Sequence, residues 1–191
     1  MAKQHRALQR QPSTDKEGRK RVHFAKVDFE SFESDVKKFY SDHINQETLR
    51  KAWEEIVLPE RKTQFSCGYD VRTPVNLVLA PHTSVIVPTG IRVIFSEDEM
   101  KTWCLKLYAR SSIGIKDKVI VTNSVGLVDA DYYLAENQGD MLLALTNIGD
   151  EIRKYKAGDR ICQAVFEIFG LTSDDKAVGI RTNGVGSTGT T

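Results

Sequence analysis

The amino-acid sequence predicts a mainly β fold, a jelly roll or distorted β-barrel, with a helical hairpin inserted near the N-terminus. Two patterns support this prediction. Beyond Leu58, short apolar stretches are separated by Pro, Gly and Asn, which is typical of short strands and tight turns in all-β domains. Between residues 28 and 57, apolar side chains instead recur every three or four positions, the period of an amphipathic helix. The predicted strands are VNLVLA, SVIVPTGIRVIF, TWCLKLYA, KVIVTN, DMLLALTN and ICQAVFEIF.

The N-terminal segment, residues 1–21, carries seven Lys or Arg residues and two acidic residues, with almost nothing apolar to bury. Such a composition favours a disordered, solvated basic tail. Binding of nucleic acid or another anionic partner is the alternative interpretation of this charge. Residues 22–27 place the apolar Val22 and Phe24 at alternate positions, which predicts the first strand of the core.

Residues 28–57 differ in pattern from the rest of the chain, and we expect them to form an inserted helical hairpin. The break between the helices is expected near residues 42–45, with Asn45 as the N-cap of the second helix. Apolar helix stripes favour packing on the β core, and recognition of a protein partner is the alternative. The two stripes consist of Phe32, Val36, Phe39 and Tyr40, and of Leu49, Trp53, Ile56 and Val57.

The overall composition is typical of one intracellular domain. The 191 residues are enough for a single sizeable core, and a formal net charge of +1 gives no broad nucleic-acid-binding surface. Three cysteines without a CxxC pair favour reduced thiols and a cytoplasmic location. The four histidines are scattered, so no structural zinc site is expected. We also expect no signal peptide and no transmembrane segment.

The run ARSSIGIK places Arg110, Ser111 and Ser112 between an apolar strand and a turn that carries Gly114. A guanidinium group matches phosphate oxygens two at a time, and small hydroxyl residues beside a glycine let backbone N–H groups approach the same ligand. The pattern therefore indicates a phosphate-binding strand end. The alternative is a turn whose arginine pairs with a surface carboxylate.

In the run VGLVDADYY, Asp129 and Asp131 lie two positions apart, on one face of an extended segment. Asp129 follows apolar residues, and partial desolvation suits a carboxylate to take a proton from water. A solvated turn is the alternative for the two acids. Tyr132 is either part of the same site or an ordinary core aromatic residue.

Two further runs complete the candidate set. In GDRICQ, Gln163 is the polar exception in a buried strand, and an outward-facing position is its alternative interpretation. The C-terminal arm, residues 181–191, combines Arg181, Ser187 and Thr188 with glycines. This composition suits a lid over a polyphosphate, and a disordered tail is the alternative.

These runs together resemble the trimeric dUTPase family over about residues 58–189. The chain presents five motifs in the family's order, which makes chance a poor explanation. The sequence DYY followed by Asn137, Gln138 and Gly139 is most similar to the phage and Gram-positive branch. The motifs are SCGYD at 66–70, ARSS at 109–112, GLVDADYY at 126–133, GDRICQ at 158–163 and RTNGVGSTG at 181–189.

The resemblance implies hydrolysis of dUTP to dUMP and pyrophosphate by a dUTPase-like β core at residues 58–180. Asp129 matches the carboxylate that activates water for attack on the α-phosphate, and Tyr132 matches the ring beneath the sugar, which excludes a 2′-hydroxyl. Asp70 matches an acid that orients a hydrated Mg²⁺. The family also implies a homotrimer with shared active sites, in which the arm serves a neighbouring subunit. The matching substrate-binding residues are Arg110, Ser111, Ser112, Asn123, Gly126, Gln163, Arg181, Ser187 and Thr188.

Two departures from the family's motifs bear on alternative functions. Val185 stands where the family's fifth motif usually has Phe to stack on uracil, so a dUTPase-like nucleotide-binding regulatory protein with weak or no catalysis is the alternative function. Ala144 stands where the related dCTP deaminases need a catalytic acid, which disfavours deamination. A nucleic-acid or protein partner for the basic tail or the insertion has no further support in the sequence.

Overall fold

The computed structural model describes residues 21–179, together with Thr14, Gly18 and Arg181. This part of the chain is mainly β and jelly-roll-like, with two helices near its N-terminus, as predicted. The helices are α1 (Phe29–Phe39), α2 (Gln46–Glu54) and the short α3 (Glu97–Met100). The strands are β1 (Val22–Lys26), β2 (Tyr69–Arg72), β3 (Leu77–Leu79), β4 (Ser84–Pro88), β5 (Ile91–Phe95), β6 (Trp103–Ala109), β7 (Val119–Val121), β8 (Gly126–Val128), β9 (Leu142–Asn147), β10 (Arg153–Tyr155) and β11 (Arg160–Ile168).

All strand pairs in the sheets are antiparallel. The largest sheet has the order β2-β11-β6-β8, and a three-stranded sheet has the order β4-β9-β7. Two smaller sheets pair β1 with β5 and β10 with β3. The alternation of buried and less buried residues along β5 and β9 directs one face of each strand into a common core.

The two inserted helices begin at side-chain caps. Asp28 accepts a hydrogen bond from the backbone N–H of Ser31 at 2.8 Å, and Asn45 accepts one from Thr48 at 2.8 Å. Asn45 as an N-cap is therefore confirmed. Each cap satisfies a backbone donor that the first turn of a helix leaves without a partner.

The helical insertion packs on the β core. Phe32, Val36 and Leu49 are fully buried in the same apolar cluster as the strands. The Trp53 indole N–H donates to the carbonyl of Val27 at 2.9 Å, which joins α2 to the end of β1. The apolar stripes therefore have a partner within the chain, while the sequence-based boundaries of the insertion remain a prediction.

Three local structures differ from the sequence-based expectations. The turn expected at Gly114 is a π-helical segment, Ser112–Asp117. Strand β10 was not predicted, because its three residues, RKY, carry no apolar alternation. The family resemblance also implies a hairpin around Asn123, but its flanking strands do not pair with each other, because β7 and β8 belong to different sheets. Among the described helices, none has the length and apolar character to cross a membrane.

The contact between Gly90 and the insertion generates a test of the packing. Gly90 has φ +67°, and a Cβ atom there would lie 2.4 Å from Ile56 Cδ1 and 3.0 Å from Phe32 Cδ2. We expect Gly90→Ala to lower the free energy of unfolding by about 1–3 kcal/mol, since both overpacking and backbone strain oppose the methyl group. Urea unfolding measures this loss.

Gly158→Ala is the matched control for Gly90→Ala. Gly158 has φ +89°, and a Cβ atom there would meet nothing within 4 Å. The control therefore includes the backbone strain without the steric contact. Equal losses in the two variants would contradict tight packing of the insertion on Gly90.

Candidate active site

A cavity of about 210 Å³ opens where the two larger sheets meet at β8. Five residues predicted from the sequence line it: Asn123, Gly126, Asp129, Tyr132 and Arg181. Asn123 lies in the turn between β7 and β8, and Asp129 directly follows β8. The fold thus brings together residues up to 58 positions apart in the chain, from 123 to 181.

Arg181 binds both acids of the DAD run. Its Nη2 contacts Asp129 Oδ2, and its Nε lies 3.4 Å from Asp131 Oδ1. The guanidinium carbon lies 5.6 Å from the centroid of the Tyr132 ring. The two carboxylates therefore converge on one cation, although Asp131 lies in a turn and not in an extended strand.

Two observations concern the expectations for these residues. The resemblance implies an arm that serves a neighbouring subunit, and within this chain its first residue, Arg181, contacts Asp129 and Asp131. Apolar neighbours were expected to desolvate Asp129 partly, and its side chain is 43% exposed. The remainder of the arm, with Ser187, Thr188 and Val185, lies outside the described residues.

Tyr132 forms the buried floor of the cavity and is 6% exposed. Its hydroxyl donates to the backbone carbonyl of Asp140 at 3.0 Å and accepts from Asn137 Nδ2 at 3.2 Å. Burial raises the pKa of the Tyr132 hydroxyl, which keeps it protonated as a donor at neutral pH. The ring is therefore held at its polar end while its face meets Arg181.

Asp140 fixes the chain behind Tyr132 and is completely buried. Its Oδ1 accepts from Gly90 N at 2.8 Å, from Thr89 N at 3.1 Å and from Thr89 Oγ1 at 3.2 Å. Burial raises the pKa of Asp140 to about 7, and the nearby Asp35 carboxylate also raises it. Asp140 carries no signal in the sequence that marks it as part of the site, because one Asp ahead of an apolar strand resembles an ordinary turn.

The predicted phosphate-binding residues form a second group at the other end of β6. Asp70 lies between two guanidinium groups, with Oδ1 3.0 Å from Arg110 Nε and Oδ2 2.9 Å from Arg160 Nη1. Gln163 on β11 pairs in register with Asp70 on β2. Both oxygens of Asp70 are thus engaged by arginines, so its direct environment is an ion-pair network.

The serines of this second group lie just beyond the end of β6. Ser111 and Ser112 are exposed at the start of the π-helical segment. The backbone N–H of Gly114 donates to the carbonyl of Arg110 at 2.9 Å. Gly68 packs closely against Gln163, since a Cβ atom there would lie 2.6 Å from Gln163 Oε1.

The two groups of predicted residues are far apart within one chain. Val128 lies opposite Leu105 in the β6–β8 ladder, and Arg110 follows Leu105 by five residues. At about 3.4 Å per residue along a strand, this separates Arg110 from Asp129 by roughly 20 Å. One chain therefore does not bring the arginine and the DAD carboxylates onto the same small ligand group.

Within the described part of the chain, no three His, Cys, Asp or Glu side chains come together as a metal-binding cluster. Asp129 presents carboxylate oxygen atoms at the cavity, which is the donor type that Mg²⁺ prefers. The donor chemistry of this residue thus fits Mg²⁺. A larger cavity, of about 680 Å³, lies between the insertion and the core, but no predicted site residue lines it.

Comparison with known proteins identifies the family. The family model named dUTPase matches residues 54–189. The chain belongs to the dUTPase family. The deoxyuridine 5′-triphosphate nucleotidohydrolase of Lactococcus lactis is 35% identical over 137 residues, which cover 70% of this chain and 89% of that protein. The enzyme of the same name from Treponema denticola is 36% identical over 121 residues, 62% of this chain and 78% of that protein.

Solved dUTPase structures share the fold of this family member. The crystal structure of dUTPase from Streptococcus mutans has a TM-score of 0.57 at 29% identity and covers 71% of this chain and 96% of that one. A dUTPase from phage phi11 of Staphylococcus aureus has a TM-score of 0.55 at 17% identity and covers 83% of this chain and 97% of that one. This second likeness supports the fold alone.

The buried Asp140 generates a prediction about stability and pH. Its folded-state pKa of about 7 exceeds the ordinary value of 3.8. A carboxyl that holds its proton more tightly when folded stabilises the protein at low pH, and this contribution is lost as pH rises through the folded pKa. We expect the free energy of unfolding to fall by up to about 4 kcal/mol between about pH 4 and 7 through this residue.

Urea unfolding of the wild type and of Asp140→Asn across this pH range measures the contribution. The amide cannot ionise, so Asp140→Asn is expected to show a weaker decline in stability with rising pH. Asp174→Asn, at an exposed position, is the control and is expected to follow the wild type. A decline in Asp140→Asn as steep as that of the wild type would contradict the role of Asp140.

Proposed function

We propose an acid-base mechanism with shared active sites for this chain, which as a member of the dUTPase family hydrolyses dUTP to dUMP and pyrophosphate. The observation that supports it most directly is the convergence of Asp129, Tyr132 and Arg181 on one cavity. These residues supply a carboxylate, an aromatic platform and a cation. Such a set suits a nucleoside triphosphate, which offers water-accessible phosphorus, a sugar face and negative charge.

Asp129 acts as the general base in this proposal. Its carboxylate accepts a proton from a water molecule as the water oxygen bonds to the α-phosphorus, and the bond from that phosphorus to the α,β-bridging oxygen breaks, so that pyrophosphate leaves. Arg181 holds the Asp129 carboxylate through an ion pair and also contacts Asp131. A triphosphate carries more negative charge than these two carboxylates together, so Arg181 transfers to the phosphates when the substrate enters and leaves Asp129 to the water.

Tyr132 supports the deoxyribose, and Asn123 with Gly126 lies at the base end of the cavity. A buried ring fixed by two hydrogen bonds at its hydroxyl cannot retreat to admit a 2′-hydroxyl, so ribonucleotides meet both a steric clash and a stranded polar group. Ala144 also lines this cavity. A methyl group at that position provides no proton shuttle, which argues against deamination.

Arg110, Ser111, Ser112 and Gln163 bind phosphate in this proposal, and they do so for a neighbouring subunit. The roughly 20 Å between Arg110 and Asp129 along β6 supports this arrangement, because one triphosphate cannot span both groups of one chain while its α-phosphate stays at Asp129. A homotrimer with heterologous, ring-closing contacts brings Arg110 of one subunit to Asp129 of the next. Ser187 and Thr188 of the arm complete the phosphate contacts.

Mg²⁺ is the proposed cofactor. The ion supplies charge neutralisation for the triphosphate and is held mainly by phosphate oxygens and water, which suits the absence of a multi-residue ligand cluster among the described residues. A variant of the phage phi11 dUTPase is known with a structural Mg(II) ion. Asp70 primarily orients Arg110 and Arg160, and its outer-sphere contact to the metal remains a prediction.

Asp129→Asn tests the proposed base. We expect kcat for dUTP to fall by about 10²- to 10⁴-fold, because the amide accepts no proton, while the affinity for dUTP changes little. Pyrophosphate release with Mg²⁺ and dUTP, dCTP, dTTP or UTP measures turnover and selectivity together. Asp131→Asn, which contacts Arg181 from the other side, is the control and is expected to keep most of its turnover.

Near-normal turnover in Asp129→Asn would contradict the assignment of the base. Wild-type protein that binds dUTP without releasing pyrophosphate would instead favour the regulatory alternative. The two results are distinguishable, because the first leaves dUTP hydrolysis by the wild type intact and the second shows that the wild type does not hydrolyse dUTP.

Mixing Asp129→Asn with Arg110→Ala chains tests the shared site. Each variant alone lacks one group in every site and is expected to be nearly inactive. If each site takes Asp129 and Arg110 from different chains, random 1:1 reassembly restores both groups in about a quarter of the sites. Activity after denaturation, mixing and refolding measures this recovery, with separately refolded variants as controls. No recovery in correctly assembled oligomers would contradict the shared site.

A further inference from the structure

We propose that the first helix of the insertion positions Tyr132, by clamping the loop that holds the tyrosine hydroxyl, and that Asp35 is its main positioning residue. This inference rests on the proposed function, in which Tyr132 supports the sugar. The family model begins at residue 54, so α1 and Asp35 lie outside the part of the chain that it matches. The clamp joins this additional segment to the nucleotide site.

Asn137 connects the helix to the tyrosine. Its Nδ2 donates to Asp35 Oδ2 at 3.1 Å and to the Tyr132 hydroxyl at 3.2 Å. Asp35 lies on α1, is only 6% exposed and faces the core. A buried carboxylate needs a donor, and a side-chain amide with two N–H groups can satisfy Asp35 and orient Tyr132 at once.

A second contact joins the adjacent residue to the cap of the same helix. The Gln138 side chain accepts from the backbone N–H of Asp28 at 3.2 Å and donates to the Asp28 carboxylate. The same carboxylate caps α1. Helix α1 therefore contacts two consecutive loop residues: Asp35 binds Asn137, and the N-cap Asp28 binds Gln138.

The backbone conformation of the loop couples these contacts to the position of Tyr132. Gln138 and Gly139 both have positive φ angles, 56° and 77°. A Cβ atom at Gly139 would lie 2.6 Å from Tyr133 Cα and 2.9 Å from the Tyr132 carbonyl oxygen. The loop thus folds tightly against the backbone of the tyrosines, and displacement of one moves the other. A left-handed non-glycine residue such as Gln138 is kept there by its contacts.

A third contact supports the same loop from the opposite side. Asp140 binds Thr89 and Gly90, and Gly90 packs against Phe32 of α1. The insertion therefore contacts the loop directly at Asn137 and Gln138, and indirectly through the turn that holds Asp140. None of the three acids of this clamp, at positions 28, 35 and 140, lines the substrate cavity. Their role is positioning and not catalytic.

Asp35→Ala removes the acceptor for Asn137 and frees that side chain from one of its partners. We expect KM for dUTP to rise by about 3- to 10-fold and the preference for dUTP over UTP in kcat/KM to fall by a similar factor, while kcat changes less than about twofold. Asp35→Asn retains an acceptor oxygen and is expected to restore most of both values. Glu30→Ala, an exposed acid on the same helix, is the control and should match the wild type.

Hydrogen exchange of the backbone amides of residues 135–141, followed by mass spectrometry, is the second readout and does not depend on catalysis. Faster exchange in Asp35→Ala than in Asp35→Asn and Glu30→Ala supports the clamp. Thermal unfolding of each variant identifies a protein that has lost its fold. If Asp35→Ala does not fold, the single variants Asp35→Asn and Asn137→Ala are compared instead, since Asn137→Ala removes the same hydrogen bond from the other side.

Folded Asp35→Ala with wild-type KM, selectivity and loop exchange would overturn the proposal. Equal effects of Asp35→Ala and Glu30→Ala would also overturn it, because a general effect of helix charge would then explain the data. Wild-type protein that fails to hydrolyse dUTP would overturn the proposed function, and with it the nucleotide role of the clamp. That result is distinguishable, since it appears before any variant is compared.

Discussion

The antiparallel pairing of β6 with β8 and β11 is the constraint on which the arrangement of the site depends. Strand β6 ends at Ala109, directly before Arg110, and Val128 pairs with Leu105 near the start of the strand, so one ladder fixes both groups of site residues and the distance between them. Because strand rise is nearly constant, this distance cannot be shortened by local adjustment. The shared site proposed above accounts for this fixed separation without a change in the backbone.

Charge is distributed differently at the two ends of this ladder. Asp70 is enclosed by Arg110 and Arg160, which leaves the phosphate end with an excess of positive charge. At the other end, Asp129 and Asp131 share Arg181, which leaves an excess of negative charge. This opposite charge at the two ends is consistent with the proposed assembly, in which the arginine end of one subunit meets the carboxylate end of the next.

The inserted helices change how the cavity floor is supported. Helix α1 contributes Asp35 and its capping residue Asp28 to that support, and Asp140 adds a buried carboxyl whose pKa is raised to about 7. In the proposed clamp, the contribution of the insertion to nucleotide binding comes through Tyr132.

The sequence by itself determined the family, the strands with clear apolar alternation, the two inserted helices and the N-cap at Asn45, because these depend on local periodicity and on ordered motifs. Only the tertiary structure decided that Arg181 binds Asp129, that Gly114 N–H is not free and that Asp140 is buried behind Tyr132. The same holds for the separation of Arg110 from Asp129. These features depend on contacts between distant segments, and local sequence patterns carry no information about which segments come together.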